Sequence, residues 1–272
     1  MRKIGDWPLG VCTWSLGNDL ERVGDVLDQN DLSHIHLACG ALTDAPGREA
    51  WLRAIETRGW VVTSTMVGFP TEDYSTLDSI RRTGGIVPDE HWPANREIVM
   101  DALKMTAELG VGYLSFHAGF LDMEDSEYAR KLMDRMADIA DAASDRGIVL
   151  LMETGQESAE ELCAFFDTIE HPALGVNFDP ANMILYDKDD PVDAVAVLGP
   201  WIRHVHIKDA VRTRTPGEWG AEVPWGEGEV PVDAFLRALA ETGFDGALAI
   251  ERESGDNRIA DIGKAAERLS HD

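Results

Sequence analysis

The sequence predicts an α/β fold, a (β/α)8 or TIM barrel forming a single domain over residues 1–272. Two observations carry that prediction. Short apolar runs alternate with amphipathic stretches, and strands separated by helices pair in parallel through crossover connections. Eight such units in 272 residues take 34 residues each, a size that suits a closed barrel. An open doubly wound sheet is the alternative, but no G-x-G-x-x-G follows the first strand, and Gly226-Glu227-Gly228 comes late.

In chain order the expected strands are GVCTWSL (10–16), SHIHLAC (33–39), WVVTSTMV (60–67) and VGYLSFHA (111–118). GIVLLME (147–153), ALGVNFD (173–179), IRHVHIK (202–208) and GALAIER (246–252) complete the set. Between them, residues 94–110 place Ile98, Val99, Ala102, Leu103, Met105 and Leu109 near a 3.6-residue period and close on Gly110. Residues 125–147 repeat the pattern and exit at Gly147, and SAEELCAFFDTI, VDAFLRALAETG and DIGKAAERLS read as further helices. The longest irregular piece, 70–93, follows the third strand and is expected to wall a substrate pocket.

Composition narrows the function classes. Lys plus Arg total 24 against 50 Asp plus Glu, a net charge of −26. That balance disfavours nucleic acid, whose binding rests on cationic neutralisation of phosphates, and an anionic membrane surface. Cys12, Cys39 and Cys163 are far apart without a C-x-x-C, which fits reduced thiols. The start, MRKIGDWPLG, has no apolar stretch behind its basic pair, and no apolar run reaches 18 residues. A cytoplasmic protein acting on a small molecule is the expectation.

The chemistry concentrates at the strand ends, where a (β/α)8 barrel places its active site. The fifth strand ends in Glu153 and the sixth in Asp179; His206 closes the seventh and Glu251 the eighth. Taken singly, an acid at a strand end reads as a helix cap, and a histidine in an apolar strand as a hydrogen-bonded core residue. Four neighbours in one register read differently, because charges ending buried strands are costly unless paired or metal-bound. Three carboxylates and one imidazole form a hard, oxygen-rich shell suited to Mn2+, with Mg2+ or Co2+ as alternatives.

METGQE (152–157), NFDPANM (177–183), HVHIKDA (204–210), WGEGEVP (225–231) and GALAIERE (246–253) resemble successive motifs of the xylose-isomerase-like TIM-barrel superfamily. That group includes sugar isomerases, ketose 3-epimerases, inosose dehydratases and endonuclease IV. The likeness is strongest over 147–253. It implies that Glu153, Asp179, His206 and Glu251 are the metal ligands, and that His204 lies one layer deeper. It also implies that Glu153 and Glu251 are a catalytic pair, one removing and the other returning a proton on opposite faces of the substrate.

By the same resemblance Arg212, six residues after His206, occupies a substrate-binding position. Asn182 stands three after Asp179, where those epimerases have a histidine, and Ala159 stands where they bind substrate through a glutamate; Gln156 or Glu157 are the candidates to replace it. From the residues themselves, His117 at the end of the fourth strand reads equally as a substrate contact or a core group. Trp14 reads as a pocket wall or as core. His34 reads as structural and His36 stays open, while Lys208 and Asp209 read as an ion pair or as groups orienting His206.

The leading expectation is therefore a metal-dependent isomerase or epimerase of a ketose or related polyol ketone. A lyase of the inosose dehydratase type shares its first proton abstraction. A catalytically inactive sugar-binding barrel is less favoured. So is an endonuclease IV-like nuclease, since Asn182 replaces a needed histidine and the charge is wrong. The resemblance also implies a homodimer or tetramer.

Overall fold

The computed structural model describes residues 3–124 and 126–270; Met1, Arg2 and Asp125, which fall within stretches considered above, lie outside them. Eight parallel strands form the barrel: β1 (Trp7–Cys12), β2 (His34–Ala38), β3 (Val61–Met66) and β4 (Tyr113–Phe116), then β5 (Val149–Glu153), β6 (Leu174–Phe178), β7 (Ile202–Ile207) and β8 (Ala247–Ile250). Each pairs with the next, and closure comes where Leu248 of β8 pairs with Leu9 of β1. Outward-facing apolar side chains such as Val11, Ile35, Phe116, Phe178, Val205 and Leu248 are fully buried. They meet the apolar faces of the surrounding helices, which include Trp92–Glu108, Ser126–Ser144 and Val232–Glu241.

The second to eighth predicted strands each contain the observed one. The first needs correction: β1 ends at Cys12, and Thr13–Leu16 is a 3-10 turn, so Trp14 lies off the strand. Thr13 turns the chain, because its hydroxyl donates to Asn18 Oδ1 (2.8 Å) and accepts from the Ala38 amide (3.0 Å). Gly17, at φ 70, then closes the turn in the left-handed region.

Two other segments hold more order than their sequences suggested. Within 70–93 a helix spans Leu77–Thr83, started by a capping box between Thr76 and Ser79. After β7 the strands Asp209–Val211 and Ala221–Val223 form an antiparallel hairpin. Lys208 and Asp209 are not partners; the buried Asp209 carboxylate accepts from Ala210, Gly226, Gly228 and Val230 amides at 2.8–3.0 Å. It thereby ties WGEGEV to the end of β7. Asp209→Ala strands those donors and is expected to cost roughly 2–4 kcal/mol in urea denaturation. Faster hydrogen exchange at Gly226 and Gly228 is expected with it.

Candidate metal centre and substrate cavity

Strand β5 delivers Glu153, β7 delivers His206, and Asp179 and Glu251 follow directly on β6 and β8. One ligand atom from each lies within 4.8 Å of the others, and all four residues are buried. His206 Nδ1 is 3.2 Å from Glu251 Oε2, 3.4 Å from Glu153 Oε1 and 3.7 Å from Asp179 Oδ2.

Each carboxylate has one oxygen held by a donor. Asp179 Oδ1 accepts from the Ala181 and Asn182 amides (2.8 and 3.0 Å), capping the helix Pro180–Leu185. Glu153 Oε1 accepts from Asn182 Nδ2 at 3.0 Å, and Glu251 Oε1 accepts from Trp14 Nε1 at 2.5 Å. Of the remaining oxygens, Asp179 Oδ2 and Glu153 Oε2 are buried without a hydrogen-bond donor and Glu251 Oε2 faces the Lys208 ammonium, while His206 Nδ1 is buried without a hydrogen-bond partner. Buried polar atoms are rarely left so, and a divalent cation satisfies these four together. The residues present fit such an ion.

A cation of the chain itself reaches the same place. Lys208 follows His206 by two residues and shares its face; its Nζ stands 2.9 Å from Glu251 Oε2, 2.8 Å from Glu253 Oε2 and 3.6 Å from Asp179 Oδ2. Burial opposes charge on Lys208, but Glu251 and Glu253 outweigh it and hold the ammonium well above its usual range. Burial likewise pushes Asp179 up, against Lys208. Burial would raise Glu153 and Glu251 too, yet His117 and His206 hold Glu153 below its usual value. Lys208 and His206 hold Glu251 far below its own.

Beneath this centre the barrel interior is polar. His206 Nε2 lies 3.0 Å from His36 Nδ1 and 3.1 Å from Asn177 Nδ2. His36 Nε2 meets the Thr65 carbonyl (3.2 Å), and His204 bridges Asn177 (2.9 Å) and Thr63 (3.0 Å). Burial pushes His36 down to about 3. His204 thus sits one layer below His206, and its i, i+2 spacing serves the floor.

Above the centre opens a cavity of about 1140 Å³, lined among others by Trp14, Tyr74, His117, Asn182, Lys208 and Trp219. The segment after β3 walls it through Pro70, Glu72 and Tyr74. His117 Nε2 is 3.7 Å from Glu153 Oε2, while its Nδ1 is buried without a partner. Arg212 is placed elsewhere: it does not line the cavity, and its guanidinium is held by Asp187 (2.7 Å) and the Asp189 carbonyl (3.1 Å). Arg252 is likewise engaged, by Glu222 and Asp261.

Neither substitute for the missing glutamate lines the cavity either. Gln156 donates to the Tyr186 hydroxyl (3.4 Å), and burial pushes the Glu157 carboxyl up to about 8. A raised carboxyl pKa means the folded state holds its proton where the unfolded state has lost it. Glu157 therefore costs no stability below its ordinary 4.5 and progressively more as pH rises towards about 8. Glu157→Gln is expected to melt at the wild-type temperature at pH 4.5 and several degrees higher at pH 9.

A sequence model of the family described as xylose isomerase-like TIM barrel matches residues 40–271. Among solved structures, a xylose isomerase domain protein from Planctomyces limnophilus superposes with a TM-score of 0.90 at 30% identity. It covers 97% of this chain and 96% of its own. The L-ribulose-5-phosphate 3-epimerase of Shigella flexneri is 24% identical over 260 residues, covering 82% of this chain and 89% of that protein. The uncharacterised protein YihM of Escherichia coli is 25% identical over 170 residues, 62% of this chain; the match spans only 52% of YihM's own length. A xylose isomerase-like barrel from Mycobacterium smegmatis, solved in complex with magnesium, shares the fold (TM-score 0.76, 18% identity, covering 100% of this chain and 98% of its own). The chain belongs to the xylose isomerase-like TIM barrel family.

Proposed function

We propose that this chain is a divalent-metal-dependent isomerase or epimerase acting on a ketose or related polyol ketone by proton transfer. The observation that carries the reading is the convergence of four buried groups: Asp179, Glu153 and Glu251 each have one oxygen fixed by a donor, and each brings a carboxylate oxygen within 3.2–3.7 Å of His206 Nδ1, a nitrogen with no hydrogen-bond partner. Glu153, Asp179, His206 and Glu251 would hold the ion, with Mn2+ favoured and Mg2+ or Co2+ as alternatives. Such an ion supplies Lewis-acid polarisation of a carbonyl and its neighbouring hydroxyl.

The chain's own groups do the rest. Glu153 and Glu251 come from strands on different sides of His206 and carry opposed proton-transfer roles. One takes the proton from the carbon beside the carbonyl, and the other returns it from the opposite face. Asn182 and Trp14 keep these carboxylates from turning. The Lys208 ammonium and His117 offer donors to substrate oxygens at the cavity floor.

Those two donors also favour a second reading, a dehydratase: after the same abstraction, either group protonates a departing β-hydroxyl. Deuterium wash-in separates the readings. The Mn2+-loaded protein in D2O meets a panel of ketoses, their phosphates and keto-inositols, with chelator-stripped protein as control. A metal-dependent gain of one mass unit is expected, and loss of water would move the assignment to the dehydratase. Stoichiometric bound metal without exchange across the panel would overturn proton transfer on these substrates; no bound metal would overturn the site.

A further inference from the structure

We infer that a directional hydrogen-bond network through His36, Asn177 and His204 fixes His206 as the Nε2–H tautomer, leaving Nδ1 its lone pair for a metal. His36 is then a positioning residue for the centre. The inference rests on the metal reading given above.

The direction is set by backbone carbonyls, which can only accept. Thr65 O lies 3.2 Å from His36 Nε2, so that nitrogen carries a hydrogen. A second proton would charge a fully buried ring that faces another histidine, so His36 Nδ1 is an acceptor. His206 Nε2, 3.0 Å away, therefore donates to it. The reverse polarity would set the His36 Nε2 lone pair against the Thr65 carbonyl.

A second branch reaches the same answer from another carbonyl. Thr63 Oγ1 donates to Ile35 O (3.2 Å), which leaves its lone pairs for a hydrogen on His204 Nε2 (3.0 Å). His204 Nδ1 then accepts, and the Asn177 amide beside it donates through nitrogen. Amide nitrogen and oxygen are assigned from their network, and this one exchanges the two atoms of Asn177, so that its oxygen rather than Nδ2 occupies the position 3.1 Å from His206 Nε2. Both branches begin at one proton, on His206 Nε2.

The strand pairing is irregular where these contacts arise. The pairing of β2 with β3 shifts register between Ile35 and His36, and that of β6 with β7 between Val176 and Asn177. His36 and Asn177, the two residues within hydrogen-bond distance of His206 Nε2 described above, thus each follow an irregularity of the kind that re-aims a side chain. A ligand histidine is commonly oriented through its far nitrogen by a carboxylate or carbonyl. Here a second histidine relays a carbonyl.

Long-range proton–nitrogen NMR of the Mg2+-loaded wild type, with His206→Asn to assign its signals, is the first test. His206 and His36 are both expected to be protonated at Nε2; an Nδ1–H signal from His206 in the loaded protein would overturn the inference. The second test measures Mn2+ affinity by electron paramagnetic resonance of the free ion. His36→Leu, if its melting curve shows it folded, is expected to bind roughly 10–100-fold more weakly. His36→Gln, whose amide oxygen accepts, is expected to recover most of that loss. Binding by folded His36→Leu within threefold of wild type would overturn the inference alone, and a wild type that binds no divalent ion would overturn the metal reading with it. Should His36→Leu not fold, the wild-type NMR decides.

Discussion

Glu251→Gln is expected to lower turnover by roughly 10²–10⁴-fold, the usual worth of a positioned acid–base group, while the barrel stays folded. The amide keeps the carboxylate's shape, and its oxygen still accepts from Trp14 Nε1, so the side chain keeps its place. What is lost is the proton acceptor, together with one carboxylate charge toward the ion and Lys208, so the rates are compared at saturating Mn2+. Two opposed bases make the loss one-sided: Glu251→Gln retains solvent exchange at the reacting carbon of one epimer, through Glu153, and loses it in the other. Glu153→Gln shows the reverse preference. Partial-exchange mass spectrometry on the two pure epimers reads this directly. Full interconversion by either variant would eliminate the two-base scheme.

Lys208→Met is expected to separate stability, metal binding and turnover. The ammonium lies 2.9 Å from Glu251 Oε2 with both side chains buried, 4% and 3% exposed. Removing one partner of such a pair costs roughly 3–5 kcal/mol, so the metal-free variant should melt well below the wild type. A divalent ion no longer has to share the carboxylates with a fixed positive charge, so Mn2+ should bind at least about tenfold more tightly. Saturating Mn2+ should then restore the melting temperature but not turnover, which stays down because the donor beside Glu251 is gone. Melting curves with and without Mn2+, set beside wash-in rates, check all three. Weaker metal binding would show that Lys208 supports the ligands rather than competing with the ion.

The seven strands after the first are legible because each is a buried apolar run cut off by a polar turn, and the same feature exposes the four candidate ligands. A carboxylate ending an apolar strand stands out locally. Contacts made across the barrel do not. Nothing near Trp14 announces Glu251, 237 positions on, and nothing near His36 announces His206, 170 positions on. Strand one was misplaced because Thr13 turns the chain through a bond to Ala38, a residue of the next strand. Spacing from His206 points Arg212 toward substrate, but the hairpin that begins at Asp209 redirects the chain and delivers the guanidinium to Asp187. Lys208 needed only the strand period, which sets it on the face of His206.

The closure of β8 against β1 has a consequence for how the protein is made. Glu251 is held by Trp14, and the Arg252 amide donates to Ser15 Oγ, so the ends of the first and last barrel strands meet at the centre. Glu153, Asp179 and His206 are translated before Glu251, into a cylinder still missing a stave. On the metal reading proposed above, a complete four-residue site would exist only once β8 has closed against β1, so an ion could not template the earlier strands through all four groups.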